Sequence, residues 1–323
     1  MFGGIVTDIP FTRGLRELGG GCHAWLEPDG SWGWSNAGLI VGRGESLLVD
    51  TLFDVTMTRA MLDGMSALTG SQPIRTVFNT HSNGDHWYGN QLLPDADIIT
   101  TQACAEEMRA DGGVTPAAML ELPGRAGEFA REIFGPFDWS DLELTFPTST
   151  FQGERTLDVG GIEVRLIELG PAHTGGDGVV YVPSARTLYT GDLLFIGGTP
   201  IVWAGPLANW VAACDAMAAL DVEYVVPGHG PVTDKAGIAA IKHYLEYVDE
   251  QARRLYAEGV PPDEAARRIN LSEFASWNEG GRIIQNVLSI YYELDPTLSR
   301  WGRKEIFEQI AELEGRAGAE ASR

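Results

Sequence analysis

Apolar and polar positions change rhythm several times along the chain, and each change marks an element. From Cys22 to Phe53 the runs WLEPDGSWGWSNAGLIV and ESLLVDTLF are broken by the turn signals Pro28-Asp29-Gly30 and Gly42-Arg43-Gly44, which predicts antiparallel hairpins. Thr56 to Leu68 carries apolar residues at helical spacing and stops before Gly70, and Ile74 to Asn79 is an apolar run of buried-strand length. A β-α-β unit then delivers His81 at a strand end. Asp97 to Thr100 predicts another strand. Beyond it the pattern breaks into helical patches with scattered Gly and Pro and an aromatic cluster at Phe129, Phe134, Phe137 and Trp139. This predicts a helical, lid-like insertion at about 103–153 over the site.

Strand signals return at Thr156 to Leu169, with a turn at Gly160-Gly161, and again at Val179–Val182 and Thr187–Thr190. A helix is expected from Leu207 to Leu220, then a strand at Tyr224–Val226 running into Pro-Gly-His-Gly. Val232 to Arg323 reads mostly as helix, with EYVDEQARRL its clearest amphipathic piece. Strands followed by helix, twice over, predict an α/β (α+β) fold of two sheets between helices. The expected division is a catalytic region at 1–232 and a C-terminal helical extension at 233–323 packed on the same domain.

Composition narrows the function. The 323 residues, 44% of them hydrophobic, suffice for a sizeable core. A formal charge of −22 repels nucleic acid and anionic membrane surfaces, so the expected partner is a small-molecule substrate, with no nucleic acid and no membrane. The first twenty residues lack a charged region followed by an apolar one, and no apolar run approaches the roughly 18 residues of a span. Cys22, Cys104 and Cys214 are odd in number, far apart and without a CxxC pair, which suits reduced thiols. A cytoplasmic protein is expected, and the C-terminal helices leave a homodimer open.

Four of the six histidines lie in glycine-flanked loops after predicted strands: His81 and His86 in THSNGDH, His173 in GPAHTGGD and His229 in VPGHGPV. Asp192 in YTGDLLF is placed the same way. Imidazole and carboxylate donors at converging strand ends suit zinc, and also iron or manganese, and the absence of cysteine argues against a closed structural zinc.

In these motifs the chain resembles the metallo-β-lactamase fold superfamily from about Gly21 to Pro231. The HxHxDH motif of that family stands here as His81-Ser82-Asn83-Gly84-Asp85-His86, followed in order by His173, Asp192 and His229. The resemblance implies an αββα sandwich with metal at one edge of the sheets. It further implies an intact ligand set of Asp85, His86, Asp192 and His229, and a second set, His81 and His173, interrupted by Asn83. One firmly bound zinc is therefore expected, the second weak or absent. Three roles are open to Asn83: a weak oxygen ligand, a hydrogen-bond donor to water or substrate, or a relic. Asp50 is either an orienter of a ligand histidine or a solvated strand-end residue.

The implied activity is that of a zinc-dependent hydrolase, with metal-bound hydroxide attacking an electrophilic carbon of a lactone, thioester, amide or activated aryl halide. The family branch that removes chloride from chlorinated aromatics is loosely similar. Asp85 would orient the hydroxide, while His81, Asn83 and His173 act as polar catalytic groups, His81 or His173 meeting the oxyanion or leaving group. Any of Trp25, Trp32, Trp34, Trp87, Trp139, Trp203 and Trp277 could wall a pocket, Trp87 and Trp203 first because they follow motif loops, and the 278–282 turn either caps a helix, the favoured role, or approaches the pocket. An iron-containing redox protein and a non-catalytic binding protein are the alternatives.

Overall fold

A computed structural model of the chain describes residues 8–111 and 116–321; residues 1–7, 112–115 and 322–323, which fall in the expected catalytic region, insertion and tail, lie outside the described residues. The first sheet runs β1 (Gly14–Gly19), β2 (Cys22–Leu26), β3 (Ala37–Val41), β4 (Ser46–Val49), β5 (Ile74–Phe78), β6 (Asp97–Thr101) and β7 (Ser149–Phe151), in that spatial order. Its first four strands pair antiparallel, and pairing from β4 onward is parallel, with α1 (Val55–Thr69) crossing between β4 and β5. The second sheet holds β8 (Glu154–Val159), β9 (Ile162–Glu168), β10 (Gly178–Val182), β11 (Thr187–Tyr189) and β12 (Tyr224–Val226).

The two-residue period of the strands decides which layer each side chain joins. Cys22, Ala24, Leu26, Leu47, Val49 and Phe78 of the first sheet meet Val164, Leu166, Val180, Val182 and Tyr189 of the second. The alternate residues Trp25, Leu39, Leu48 and Val77 turn outward onto Met61 and Met65 of α1. Val179, Tyr181 and Leu188 turn the other way, into a helical layer with Trp210 and Tyr244. All five residues of β10 are buried, as covering a strand on both faces requires. The architecture is the αββα sandwich.

Between β6 and β7 lie α2 (Gln102–Asp111), α3 (Pro116–Leu120) and α4 (Gly124–Phe134). Helices thus fill much of the stretch between β6 and β7, which ends in a strand, since Ser149–Phe151 pairs with Ile99–Thr101 and extends the first sheet. β1, which sequence reading missed, closes the other edge of that sheet. After α5 (Leu207–Ala219) and β12 come α6 (Lys235–Ala257), α7 (Pro262–Arg268), α8 (Ile283–Leu294) and α9 (Arg303–Ala321). Among the described residues no helix is long and apolar enough to cross a membrane.

Asn286 of α8 ties this last helical part to the rest. Its side chain accepts from Val202 N (2.9 Å) and donates to the Pro200 carbonyl (2.9 Å) and Tyr244 hydroxyl (3.1 Å), all without access to water. Replacing it by leucine keeps the volume but strands the Val202 N–H and the Pro200 carbonyl. Asn286→Leu is expected to cost about 2–4 kcal/mol, at about 1–3 kcal/mol per buried group left unpaired. The measurement is a lowered urea midpoint with an unchanged slope.

Candidate functional site

The predicted motif residues meet at one edge of the two sheets. His81, Asn83, Asp85 and His86 ride the loop after β5, which closes in a tight turn at Gly84–His86; His173 lies between β9 and β10, Asp192 just after β11 and His229 after β12. The last two loops touch so closely that a Cβ at Gly228 would collide with the Asp192 carboxylate and the Gly191 backbone, so only glycine fits there. His86 Nε2 lies 3.1 Å from Asp192 Oδ1 and 3.8 Å from Asp85 Oδ2; His229 Nε2 lies 3.2 Å from Asp85 Oδ2 and 3.5 Å from Asp192 Oδ1. His81 and His173 approach the other Asp192 oxygen at 3.6 and 3.4 Å.

Each imidazole is turned by a partner on its far side. His86 Nδ1 is 2.8 Å from Asp50 Oδ2, His229 Nδ1 is 3.1 Å from the Gly30 carbonyl, His173 Nδ1 is 2.6 Å from the Ile201 carbonyl and His81 Nδ1 is 3.0 Å from Thr80 Oγ1. Of the two readings of Asp50, the orienter is therefore the one observed: buried, in the left-handed region at φ 61°, it also accepts from the Thr80 N–H and hydroxyl. A non-glycine residue keeps that conformation only where its surroundings fix it.

The electrostatics call for a cation. Burial alone would raise the pKa of Asp192, but His229, His86 and His81 outweigh it and hold the carboxyl well below its usual range. Burial would lower His229, yet Asp192 and Asp85 lift it to about 9, and the same carboxylates with Asp50 hold His86 well above its ordinary value. The carboxylates thus demand positive charge between them, which protons on two histidines or a metal ion can supply. His81 Nε2, His86 Nε2 and Asp192 Oδ1 are buried with no hydrogen-bond partner, and His81-His86-Asp192 and Asp85-His86-His229 are groups able to hold a metal ion. Orphaned polar atoms this deep are costly unless something binds them.

Asn83 takes a role outside the three expected. Its carboxamide oxygen, as placed, lies 2.6 Å from His173 Nε2. Burial pushes His173 down to about 4, so the ring is neutral; with Nδ1–H given to Ile201, Nε2 has only a lone pair. The stable arrangement turns the carboxamide over so that its NH2 donates to His173. The loop around this pair is fastened by Glu107, which accepts from Ser82 Oγ (2.9 Å) and Gly175 N (2.9 Å), and by Asp177, which accepts from Ala172 N and Thr174 N. Two expectations fail. His81 is not on the cavity wall; its Nε2 is buried against Asp192, so it has no path to an oxyanion or leaving group. Trp87 is not a pocket residue either, because its indole N–H donates to the Ser82 carbonyl and its ring packs on Phe146 and Tyr88.

A cavity of about 490 Å³ opens on the cluster through Asn83, Asp85, His173, Asp192 and His229. Trp203 lines it, as expected. Trp32, Phe195 and Arg282 line it too, and of these sequence reading missed Phe195. Phe195 stacks on His229 at 5.2 Å and 8°, and the Arg282 guanidinium lies 4.2 Å from the centre of the Trp32 ring and 5.2 Å from that of Phe195. Instead of merely capping a helix, the 278–282 turn reaches the cavity: Arg282 donates to the Thr199 carbonyl (2.9 Å) and pairs with Glu279 (2.9 Å), whose other oxygen accepts from Trp32 N (2.9 Å).

Comparison with known proteins gives the same picture. Residues 30–229 match the family model described as the metallo-beta-lactamase superfamily. The alpha subunit of 2,4-dinitroanisole O-demethylase from Nocardioides sp. is 27% identical over 190 residues, covering 57% of this chain and 48% of that protein. A linear primary-alkylsulfatase from Pseudomonas sp. is 23% identical over 255 residues, covering 70% of this chain and 48% of the relative. The chain thus spans about half the length of these relatives. Among solved structures, the stereoselective inverting sec-alkylsulfatase Pisa1 from Pseudomonas sp. superposes with a TM-score of 0.69 at 18% identity, over 90% of this chain and 52% of that one.

The Glu279–Arg282 pair is nearly dry, with side-chain exposures of 11% and 2%. Arg282→Met leaves Glu279 buried without its counter-charge and is expected to cost about 3–5 kcal/mol, the range for breaking a buried pair from one side. Adding Glu279→Gln removes the stranded charge and is expected to restore part of that loss. Urea denaturation of the single and double variants measures both.

Proposed function

The chain belongs to the metallo-beta-lactamase superfamily, and from that membership and the site geometry we propose a zinc-dependent hydrolase of a small organic substrate that holds one metal ion per chain. The carrying observation is the spacing of four donor atoms: Asp85 Oδ2, His86 Nε2, Asp192 Oδ1 and His229 Nε2 stand 3.1–3.8 Å apart in the four pairs that join a histidine to a carboxylate. Ligands about 2.0–2.2 Å from a tetrahedral zinc are separated by about 3.4 Å. These four separations bracket that spacing, and these four residues would hold the ion. Bound there, a zinc ion lowers the pKa of a coordinated water to about 7 and makes a nucleophile available at neutral pH.

The residues themselves divide the work. Asp85 and Asp192 both reach the cavity, so a carboxylate accepts the hydrogen bond of a water held at this spot and turns it toward the substrate. Asp50 fixes His86, and the Gly30 carbonyl fixes His229, with their Nε2 atoms inward. Asn83 occupies the Nε2 lone pair of His173, which removes that histidine from the second ligand set and supports one ion rather than two. His173 is then a neutral, polar part of the wall.

Elemental analysis of protein purified without chelator is expected to give one zinc per chain; a firm value of two overturns the one-metal reading, and iron with a visible absorption band turns the assignment toward redox chemistry. Asn83→His restores the imidazole that the second set lacks and is expected to raise the content toward two. Asp50→Asn removes the anionic partner of His86 and is expected to weaken zinc binding about 10–100-fold, the usual cost of losing such a partner, as read by competition with a chromogenic chelator. A hydrolysis panel of lactones, thioesters, amides and activated aryl halides, with 2,4-dinitroanisole and a linear alkyl sulfate from the names of the relatives, is expected to show turnover that zinc removal abolishes and zinc restores. Zinc present with no turnover across the panel would leave a binding protein.

A further inference from the structure

Part of the cavity wall is aromatic and is assembled from four separate parts of the chain. Trp32 comes from the β2–β3 connection, Phe53 from the segment after β4, Phe134 from α4 and Phe307 from α9. The rings touch in sequence: Phe53 and Phe134 at 5.7 Å, Phe134 and Trp32 at 6.3 Å, Trp32 and Phe307 at 5.8 Å, Phe307 and Phe134 at 6.1 Å. All four line the same cavity as Asp85 and Asp192. Two arginines line this cavity, Arg282 and Arg303, and the Arg282 guanidinium is matched by Glu279 and lies against the rings of Trp32 and Phe195.

We propose that this wall selects substrates carrying an apolar ring or an alkyl chain beside the scissile bond, and that Phe307 and Phe134 set the size of the group accepted. The proposal rests on the hydrolase reading for its kinetics and on the cavity alone for its binding. A volume of about 490 Å³ lies within the roughly 300–1,000 Å³ of small-molecule sites, and burying each additional methylene at about 0.8 kcal/mol is worth roughly fourfold in kcat/KM. Phe307 is the informative position because α9 lies beyond the candidate ligand motifs along the chain, and its ring packs on Trp32, Phe129 and Phe134.

Two measurements separate the wall from the chemistry. In the first, zinc-loaded protein hydrolyses 4-nitrophenyl acetate, butyrate, hexanoate and octanoate, and kcat/KM is expected to climb with chain length. Phe307→Ala is expected to lower the octanoate value at least tenfold, chiefly through KM, and the acetate value less than threefold, with zinc content unchanged. In the second, 2-naphthol quenches tryptophan fluorescence in zinc-stripped protein, and Phe307→Ala weakens its binding at least tenfold. Should the alanine variant not fold, Phe307→Leu and Phe134→Leu, which keep an apolar side chain, are expected to weaken 2-naphthol binding while retaining the rise along the ester series.

An ester series as steep in a folded Phe307→Ala variant as in the parent overturns the proposal, and so does absence of 2-naphthol binding to the parent. If the parent hydrolyses no ester yet binds 2-naphthol through Phe307, the hydrolase reading fails and the apolar site stands.

Discussion

Asp85 and Asp192 are two carboxylates buried beside the same pair of histidines, and the surrounding structure answers the repulsion this creates. Buried like charges are tolerated only where opposite charge and hydrogen bonds are held against them. His86 and His229 stand between the two acids, and each is locked by a partner that is itself locked: Asp50 by Thr80, Gly30 by the loop that carries it. The sandwich makes this affordable, because the loops that follow β5, β11 and β12 end at one edge, where backbone from both sheets can be brought together without exposing the cores.

Much of this was legible in the sequence because the candidate ligand residues sit in short loops whose flanking strands have strong local patterns. The Gly84-Asp85-His86 and Gly191-Asp192 steps announce tight turns, and the apolar runs before them announce the strands. The orienting residues were harder to see. Asn36, which fastens the His229 loop by donating to the Pro227 and Gly230 carbonyls, is 191 and 194 positions away from them, and Glu279 holds Trp32 across 247 positions. No local period encodes such a pairing. Asp50 was readable only as one of two roles, since its left-handed backbone has no marker in a residue that is not glycine.

The misplaced expectations share a cause. Trp87 follows a motif loop in sequence, but the tight turn at Gly84–His86 rotates it into the packing beneath the loop. His81 belongs to the motif, yet it is buried with its Nε2 against Asp192 and is not among the residues that line the cavity. Nearness along the chain to a ligand says little about which side of the cluster a residue faces. Asn83 shows the converse. Its partner His173 is 90 positions away, a contact that no local pattern in the sequence announces.

The turn at 278–282 carries a consequence for modularity. The family match ends at His229, where the last donor of the cluster stands. The Gly30 carbonyl that aims His229 lies two residues from Trp32, whose backbone is pinned by Glu279, and Thr199 is held by Arg282 and by the Asn278 carbonyl. An excised piece ending where the family match ends would contain every candidate donor atom and its orienting partner but lack Glu279 and Arg282, which hold Trp32 and Thr199. In this protein the final third of the chain is no appendage that evolution or an engineer can exchange freely. Any recombination with another member of the superfamily has to carry the 278–282 turn and the Gly30–Trp32 loop across together.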